Sequence, residues 1–128
     1  TMDTLWGGLT FAPGESFPLS TDSMVLADFV RLPKAAQVAD LGSGGGVLGL
    51  LLCGRYSDCT VTGVELCQQA HQAALENIDR NGLGRLRSVL GDLRQVRTIL
   101  PGGAFSCAVM GMDGQAGLLV HQEDVFIS

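Results

Sequence analysis

The stretch Gln37-Val38-Ala39-Asp40-Leu41-Gly42-Ser43-Gly44-Gly45-Gly46 decides the fold. Val38, Ala39 and Leu41 make a short apolar run, which suits a central parallel strand covered on both faces. Gly42, Gly44, Gly45 and Gly46 then remove side chains where the backbone turns sharply and approaches something closely. Val47-Leu48-Gly49-Leu50-Leu51-Leu52-Cys53 follows as an apolar helix. A helix opening behind such a loop aims its free N–H groups over the strand end, which favours an electron-rich or anionic ligand group there.

Three nucleotide-type readings compete for this loop. A P-loop closes on Lys-Ser or Lys-Thr, and neither pair is present. The dinucleotide pattern Gly-x-Gly-x-x-Gly fails from Gly42, because position 47 is Val, but Gly44-Gly45-Gly46-Val47-Leu48-Gly49 fits it with the last glycine inside the helix. That register describes a nicotinamide-dependent oxidoreductase. The third reading starts from Asp40, an acid at the strand end ahead of alternate glycines. A carboxylate there repels a pyrophosphate. A glycine-rich turn that binds nothing is the bland alternative.

Working outward, residues 59–64 form a second strand that closes on Glu65. In open parallel sheets the ligand lies beyond the carboxyl ends of the strands. Glu65 stands 19 residues after Gly46, near the offset of roughly 20 at which an acid takes ribose hydroxyls. Its structural alternative is an acid complementing a helix N-terminus. Residues 68–80 form an amphipathic helix with Ala70, Ala73, Ala74, Ile78 and Cys67 on the buried side, stopped by Asn81-Gly82. Residues 86–90 form a third strand ending at Gly91-Asp92. Asp92 either accepts from an exocyclic adenine amine or caps a helix over 93–100. Residues 104–110 form a fourth strand, followed by Gly111-Met112-Asp113-Gly114 where chemistry is expected, and 117–121 suits one more strand. Upstream, residues 5–11 suggest a hairpin around Gly7-Gly8, with Trp6 and Phe11 as packing residues. Residues 19–30 form a helix with Ser20, Thr21 and Asp22 as caps, ended by Leu32-Pro33. This alternation implies an α/β fold with a mostly parallel sheet, right-handed crossovers and helices on both faces.

At 128 residues the chain suits one domain. We divide it into an N-terminal hairpin and helix over 1–33 and a Rossmann-like core over 34–128. No stretch is apolar enough to span a bilayer, and the N-terminus lacks a signal-peptide pattern. Cys53, Cys59, Cys67 and Cys107 have no Cys-x-x-Cys spacing and suit reduced core thiols of a cytoplasmic protein. His71 and His121 match no metal motif, so no metal is expected. The net charge of −5 argues against strong non-specific nucleic-acid binding. Arg80, Arg85, Arg87, Arg94 and Arg97 nevertheless fall in one third of the sequence, which suits either RNA or a solvated helical face.

The order Asp40-x-Gly42-x-Gly44-x-Gly46, Glu65, Gly91-Asp92 resembles motifs I, II and III of class I S-adenosylmethionine-dependent methyltransferases. Ser20-Thr21-Asp22-Ser23-Met24-Val25-Leu26, Glu76-Asn77 and Phe105 add detail. Together they resemble the bacterial adenine-N6 methyltransferases that modify the anticodon loop of valine tRNA, over roughly residues 4–110. The resemblance implies S-adenosyl-L-methionine as cofactor and a tRNA as substrate. It implies that Asp40, Gly42 and Gly44 hold the methionine part, that Glu65 takes the ribose hydroxyls and Asp92 the adenine amine, and that Ser43, Gly46, Leu66 and Leu93 also bind the cofactor. Thr21 and Asp22 would line the pocket from the N-terminal side. The family's strand four ends in Asn-Pro-Pro-Tyr, whose Asn accepts from the target amine and whose ring stacks on a flipped base. This chain has Gly111-Met112-Asp113-Gly114 instead, so no catalytic residue is assigned. The helix between strands four and five is absent, and strands six and seven are missing. A truncated or internally deleted chain, residues omitted from the sequence, and a domain without catalysis all fit this departure.

Overall fold

The computed structural model describes residues 2–95, 103–105, 107–110 and 125–127. Strands β1 (Asp3–Thr4) and β2 (Thr10–Phe11) form the expected antiparallel hairpin, joined through a 3-10 turn at Trp6–Gly8. Then come helix α1 (Thr21–Phe29), β3 (Gln37–Leu41), α2 (Val47–Arg55), β4 (Thr60–Glu65), α3 (Gln68–Asn81) and β5 (Leu86–Leu90). Residues 93–95 form a further 3-10 turn. Three short strands complete the described chain: β6 (Gly103–Phe105), β7 (Cys107–Met110) and β8 (Val125–Ile127).

The main sheet has the order β5-β4-β3-β7, and every neighbouring pair is parallel. β3 lies inside it. Val38 and Ala39 point to opposite faces and both are fully buried, so this strand is covered on both sides. The architecture is the Rossmann-like α/β fold that the sequence implies.

Local chemistry explains the helices. Ser20 caps α1, its Oγ accepting the Ser23 N–H at 3.1 Å. Thr21 and Asp22, which the sequence offers equally as caps, become the first helical residues instead. α2 is apolar nearly all round, and Leu48, Leu50, Leu51, Leu52 and Cys53 are buried. Such a helix must be covered on several sides, and α2 indeed packs against α1, β4 and β5. α3 stops at Gly82, after which the Leu83 N–H returns to the Ile78 carbonyl at 3.2 Å. One core joins the hairpin, helices and strands, with Phe11, Val30, Val38, Leu50, Leu51, Leu52 and Val61 fully buried in it. Trp6 packs against this core and Phe11 lies within it, as expected of packing residues.

Three expectations change. The single strand over 104–110 is two strands in two sheets: β7 lies beside β3, whereas β6 pairs antiparallel with β8. Register explains the break. Val38 pairs with Cys107, so Phe105 would fall opposite Ala36, ahead of the start of β3. Cys67 is exposed rather than on the buried side of α3, while Cys53 and Cys59 are buried free thiols. Among the described arginines, Arg85 is not part of a solvated face. Arg85 turns inward and donates to the carbonyls of Tyr56, Cys59 and Cys53 at 3.0, 2.8 and 3.1 Å. Arg80 donates to Thr10 Oγ1, and Arg97 lies outside the described residues. So do positions 96–100 of the helix expected over 93–100, the stretch 111–114, and the strand expected over 117–121. No described helix is long and apolar enough to cross a membrane.

Candidate functional site

The glycine turn sits at the carboxyl end of β3. Gly42, Gly44 and Gly46 have φ of +81°, +56° and +89°, so the turn alternates through a conformation that residues with a Cβ avoid. Gly46 ends the turn as the N-cap residue of α2. The Gly42 and Ser43 N–H groups both donate to the Val64 carbonyl, at 2.8 and 3.0 Å, and the Gly46 N–H donates to the Ser43 carbonyl at 3.0 Å. The turn is thus pinned to the end of β4.

Glu65 completes that pinning. Its Oε1 accepts the Gly44 N–H at 2.7 Å and its Oε2 accepts the Cys67 N–H at 2.8 Å. The Gly91 N–H donates to the Glu65 carbonyl at 2.9 Å, which ties the end of β5 to the same point. Asp40 lies 3% exposed below the turn. Among the described residues no hydrogen bond or ion pair reaches its carboxylate. Burial first, and the negative charge of Glu65 second, push Asp40 up to about 7. Ser43 is also buried, and its Oγ has no hydrogen-bond partner among the described residues. Gly63 makes room for it: a Cβ at residue 63 would stand 2.6 Å from both Ser43 Cβ and Ser43 Oγ. A glycine inside a strand is the sequence signal for such a close approach.

Asp92 stands at the end of β5. Its Oδ1 accepts the Arg94 N–H at 2.9 Å, a turn-capping bond, and both oxygens accept from the Arg94 side chain. This pairing holds the Asp92 carboxyl below the usual carboxylate range. Leu66 is exposed and Leu93 half-buried. Thr21 and Asp22 are exposed on the first turn of α1. Thr21 lines a shallow depression with Trp6, Leu19, Ser20, Met24, Val25 and Asp28. No described hydrogen bond joins Thr21 or Asp22 to the glycine turn. The structure therefore ties the glycine turn to Val64 and Glu65 through hydrogen bonds, sets the buried Asp40 beside that network without a described bond to its carboxylate, brings Gly91 to the edge, and leaves the α1 pair apart.

Two residues were absent from the sequence-based site. Asn77 reaches the turn from α3, its Nδ2 donating to the Gly45 carbonyl at 2.9 Å while the residue is fully buried. Gly63 supports Ser43 from below. Among the described residues no group of three or more His, Cys, Asp and Glu is arranged to hold a metal ion.

An acid and a glycine turn at the end of the central strand, a second acid at the end of its neighbour, and the order β5-β4-β3-β7 together define a class I, S-adenosylmethionine-dependent methyltransferase domain. Residues 38–123 match the family described as Methyltransferase domain, and the chain belongs to that family. It is 37% identical over 79 residues to a tRNA1(Val) (adenine(37)-N6)-methyltransferase of Shewanella sp. (strain W3-18-1), a match covering 61% of this chain and 33% of that protein. Among solved structures, it superposes with TM-score 0.68 and 21% identity on the C-terminal domain of precorrin-6Y C5,15-methyltransferase from Rhodobacter capsulatus, covering 82% of this chain and 55% of that one. A SAM-dependent methyltransferase from Thiobacillus denitrificans in complex with S-adenosyl-L-homocysteine gives TM-score 0.61 at 23% identity, covering 77% and 39%. The chain spans about a third of the length of the curated relatives it matches. These matches are all to methyltransferases and give the nicotinamide reading of Gly44 to Gly49 no support.

Proposed function

We propose that the domain binds S-adenosylmethionine across the ends of β3, β4 and β5 and transfers its methyl group to N6 of an adenine in a tRNA, in the cytoplasm. One observation carries the binding half. Among the described residues, Asp40 presents a buried carboxylate with no cation beside it, and the neighbouring Ser43 Oγ is buried without a partner. A buried unpaired charge is costly, and the cationic amino group of a methionine moiety is the complement that this site lacks. The cofactor's electron-rich carboxylate and ribose likewise suit a pinned, side-chain-free turn.

The other assignments follow from the same fit. Gly42, Ser43, Gly44 and Gly46 leave the turn open to the methionine end. Each Glu65 oxygen holds one backbone donor and keeps a free lone pair. Ribose hydroxyls can therefore bond Glu65 without breaking its hold on Gly44. Leu66 and Leu93 give apolar contact to the adenine, and Asp92 takes its amine once the exposed Arg94 side chain swings aside. Thr21 and Asp22 close the N-terminal side. Residues 1–128 act as one domain in this reading.

When bound, the cofactor supplies a sulfonium-activated methyl group that needs little acid–base help. The chain's own task is then to bind and orient, which is where alignment of the reacting atoms contributes most. The acceptor assignment is supported by the likeness to the tRNA1(Val) methyltransferases. Gly111-Met112-Asp113-Gly114, in place of an Asn-Pro-Pro-Tyr acceptor motif, favours a second reading in which the domain binds the cofactor without transferring the methyl group. Incubation with methyl-labelled S-adenosylmethionine and unmodified valine tRNA separates the two. Label at adenine N6 is the expected result. Cofactor binding without label would replace the enzyme reading with the binding-domain reading.

A further inference from the structure

Asn77 and Asn81 lie one turn apart on α3 and both clasp the N-terminal segment with their side-chain amides. The Asn81 Oδ1 accepts the Thr10 N–H at 2.9 Å and its Nδ2 donates to the Thr10 carbonyl at 2.8 Å. The Asn77 Oδ1 accepts the Ala12 N–H at 2.9 Å and its Nδ2 donates to the Ala12 carbonyl at 2.9 Å. Thr10 and Ala12 are two residues apart, so their N–H and C=O groups point the same way, and the two amides act as the missing strand partner along that edge. Thirteen of the fourteen residues of α3 could be exchanged without touching the glycine turn through such a bond among those described, because only Asn77 adds a third reach, from Nδ2 to the Gly45 carbonyl at 2.9 Å. Arg80 also donates to Asn77 Oδ1 and so holds the amide in orientation. On its other side the turn rests on the clasped segment: a Cβ at Gly45 would stand 2.5 Å from Ser16 Oγ and 3.1 Å from Phe11 Cε1.

We propose that Asn77 is a positioning residue for the cofactor turn, fixing the Gly45 carbonyl so that residues 42–46 hold their ligand-binding shape before any cofactor arrives. This rests on the reading of that turn as the S-adenosylmethionine site. Preorganisation of this kind lowers the ordering cost of binding. Asn81 makes the same clasp on the hairpin without a bond to the turn, so it separates holding the fold from shaping the site.

The test uses the full chain and three variants, Asn77→Ala, Asn77→Asp and Asn81→Ala. Asn77→Asp retains the acceptor bonds to Ala12 and Arg80, pairs its new charge with Arg80, and sets a carboxylate oxygen against the Ala12 and Gly45 carbonyls, so it removes the hold on the turn while keeping part of the clasp on the hairpin. Amide hydrogen exchange at Gly46, bonded to the Ser43 carbonyl, reads the shape of the turn with no cofactor present. Titration with S-adenosylhomocysteine reads its use. Losing one such buried bond predicts about tenfold faster Gly46 exchange and about tenfold weaker binding in both Asn77 variants. Asn81→Ala lowers the melting temperature but leaves both readouts within about threefold of the parent. Unchanged Gly46 exchange in the Asn77 variants, or an equal change in Asn81→Ala, overturns the proposal. If the parent chain binds no S-adenosylhomocysteine, the cofactor reading falls, and the exchange comparison still decides the role of Asn77.

Discussion

Glu65 Oε1 accepts the Gly44 N–H at 2.7 Å across 21 residues of sequence. The acid at the end of one strand thereby sets the shape of the turn at the end of the next. Glu65→Ala removes that bond and the acceptors left for the ribose together. A charge-assisted hydrogen bond contributes about 1.5–3 kcal/mol, so binding of S-adenosylhomocysteine weakens by roughly ten- to a hundredfold. Glu65→Gln keeps one acceptor oxygen and loses less. Isothermal titration of the parent and both variants orders them, and an Ala variant that binds as tightly as the parent contradicts the arrangement.

Asp40 makes both stability and binding depend on pH. Burial and Glu65 raise it from 3.8 to about 7, so between those values the folded chain holds a proton that the unfolded chain has released. The folded state binds more protons, and stability falls as pH rises through that window. A cationic ligand favours the ionised form. Affinity for S-adenosylhomocysteine therefore tightens by about tenfold from about pH 6 to about pH 8, as the competent fraction grows. Asn at position 40 carries no such proton. Asp40→Asn flattens both profiles, raises the melting temperature above about pH 7, and weakens binding at the alkaline end. Melting scans and titrations across pH check each slope.

Gly63 and Ser43 form a coupled pair. Gly63→Ala drives a methyl group to within 2.6 Å of the Ser43 side chain and costs about 1–3 kcal/mol of overpacking. Ser43→Gly in the same chain removes the obstacle. The double variant is thus more stable than the sum of the single changes implies, by about 1 kcal/mol or more in a denaturation cycle. Additive costs contradict the packing described.

Arg85 and Arg87 differ although they are two residues apart. Arg85 holds three carbonyls at the junction of α2 and β4, whereas Arg87 is exposed. Arg85→Ala destabilises by about 2–4 kcal/mol, because it strands those carbonyls. Arg87→Ala stays within about 0.5 kcal/mol. Chemical denaturation of the two variants separates a structural arginine from a solvated one.

The main sheet was legible because its signals are local. Apolar runs of strand length, a glycine turn after Asp40 and an Asn-Gly stop after α3 each act over a few residues. The acids at positions 40, 65 and 92 were legible because a strand's carboxyl end can be counted off from its apolar run. Asn77 was not legible as part of the site, since its partners Ala12 and Gly45 lie 65 and 32 residues away. Arg85 looked like one of a basic cluster because its carbonyl partners carry no sequence signature. The split of the strand over 104–110 follows from where β3 begins, a register that composition does not encode. Gly63 did carry a signal, a glycine inside a strand, but the residue pressing on it is on another element.

Calorimetric titration of the chain with S-adenosylhomocysteine, with NAD as the comparison, decides whether Asp40, the glycine turn and Glu65 form the cofactor site. Saturable one-site binding in the micromolar range is expected for S-adenosylhomocysteine and none for NAD. Binding of NAD in its place, or of neither, would contradict the assignment of Asp40, the glycine turn and Glu65 as a S-adenosylmethionine site.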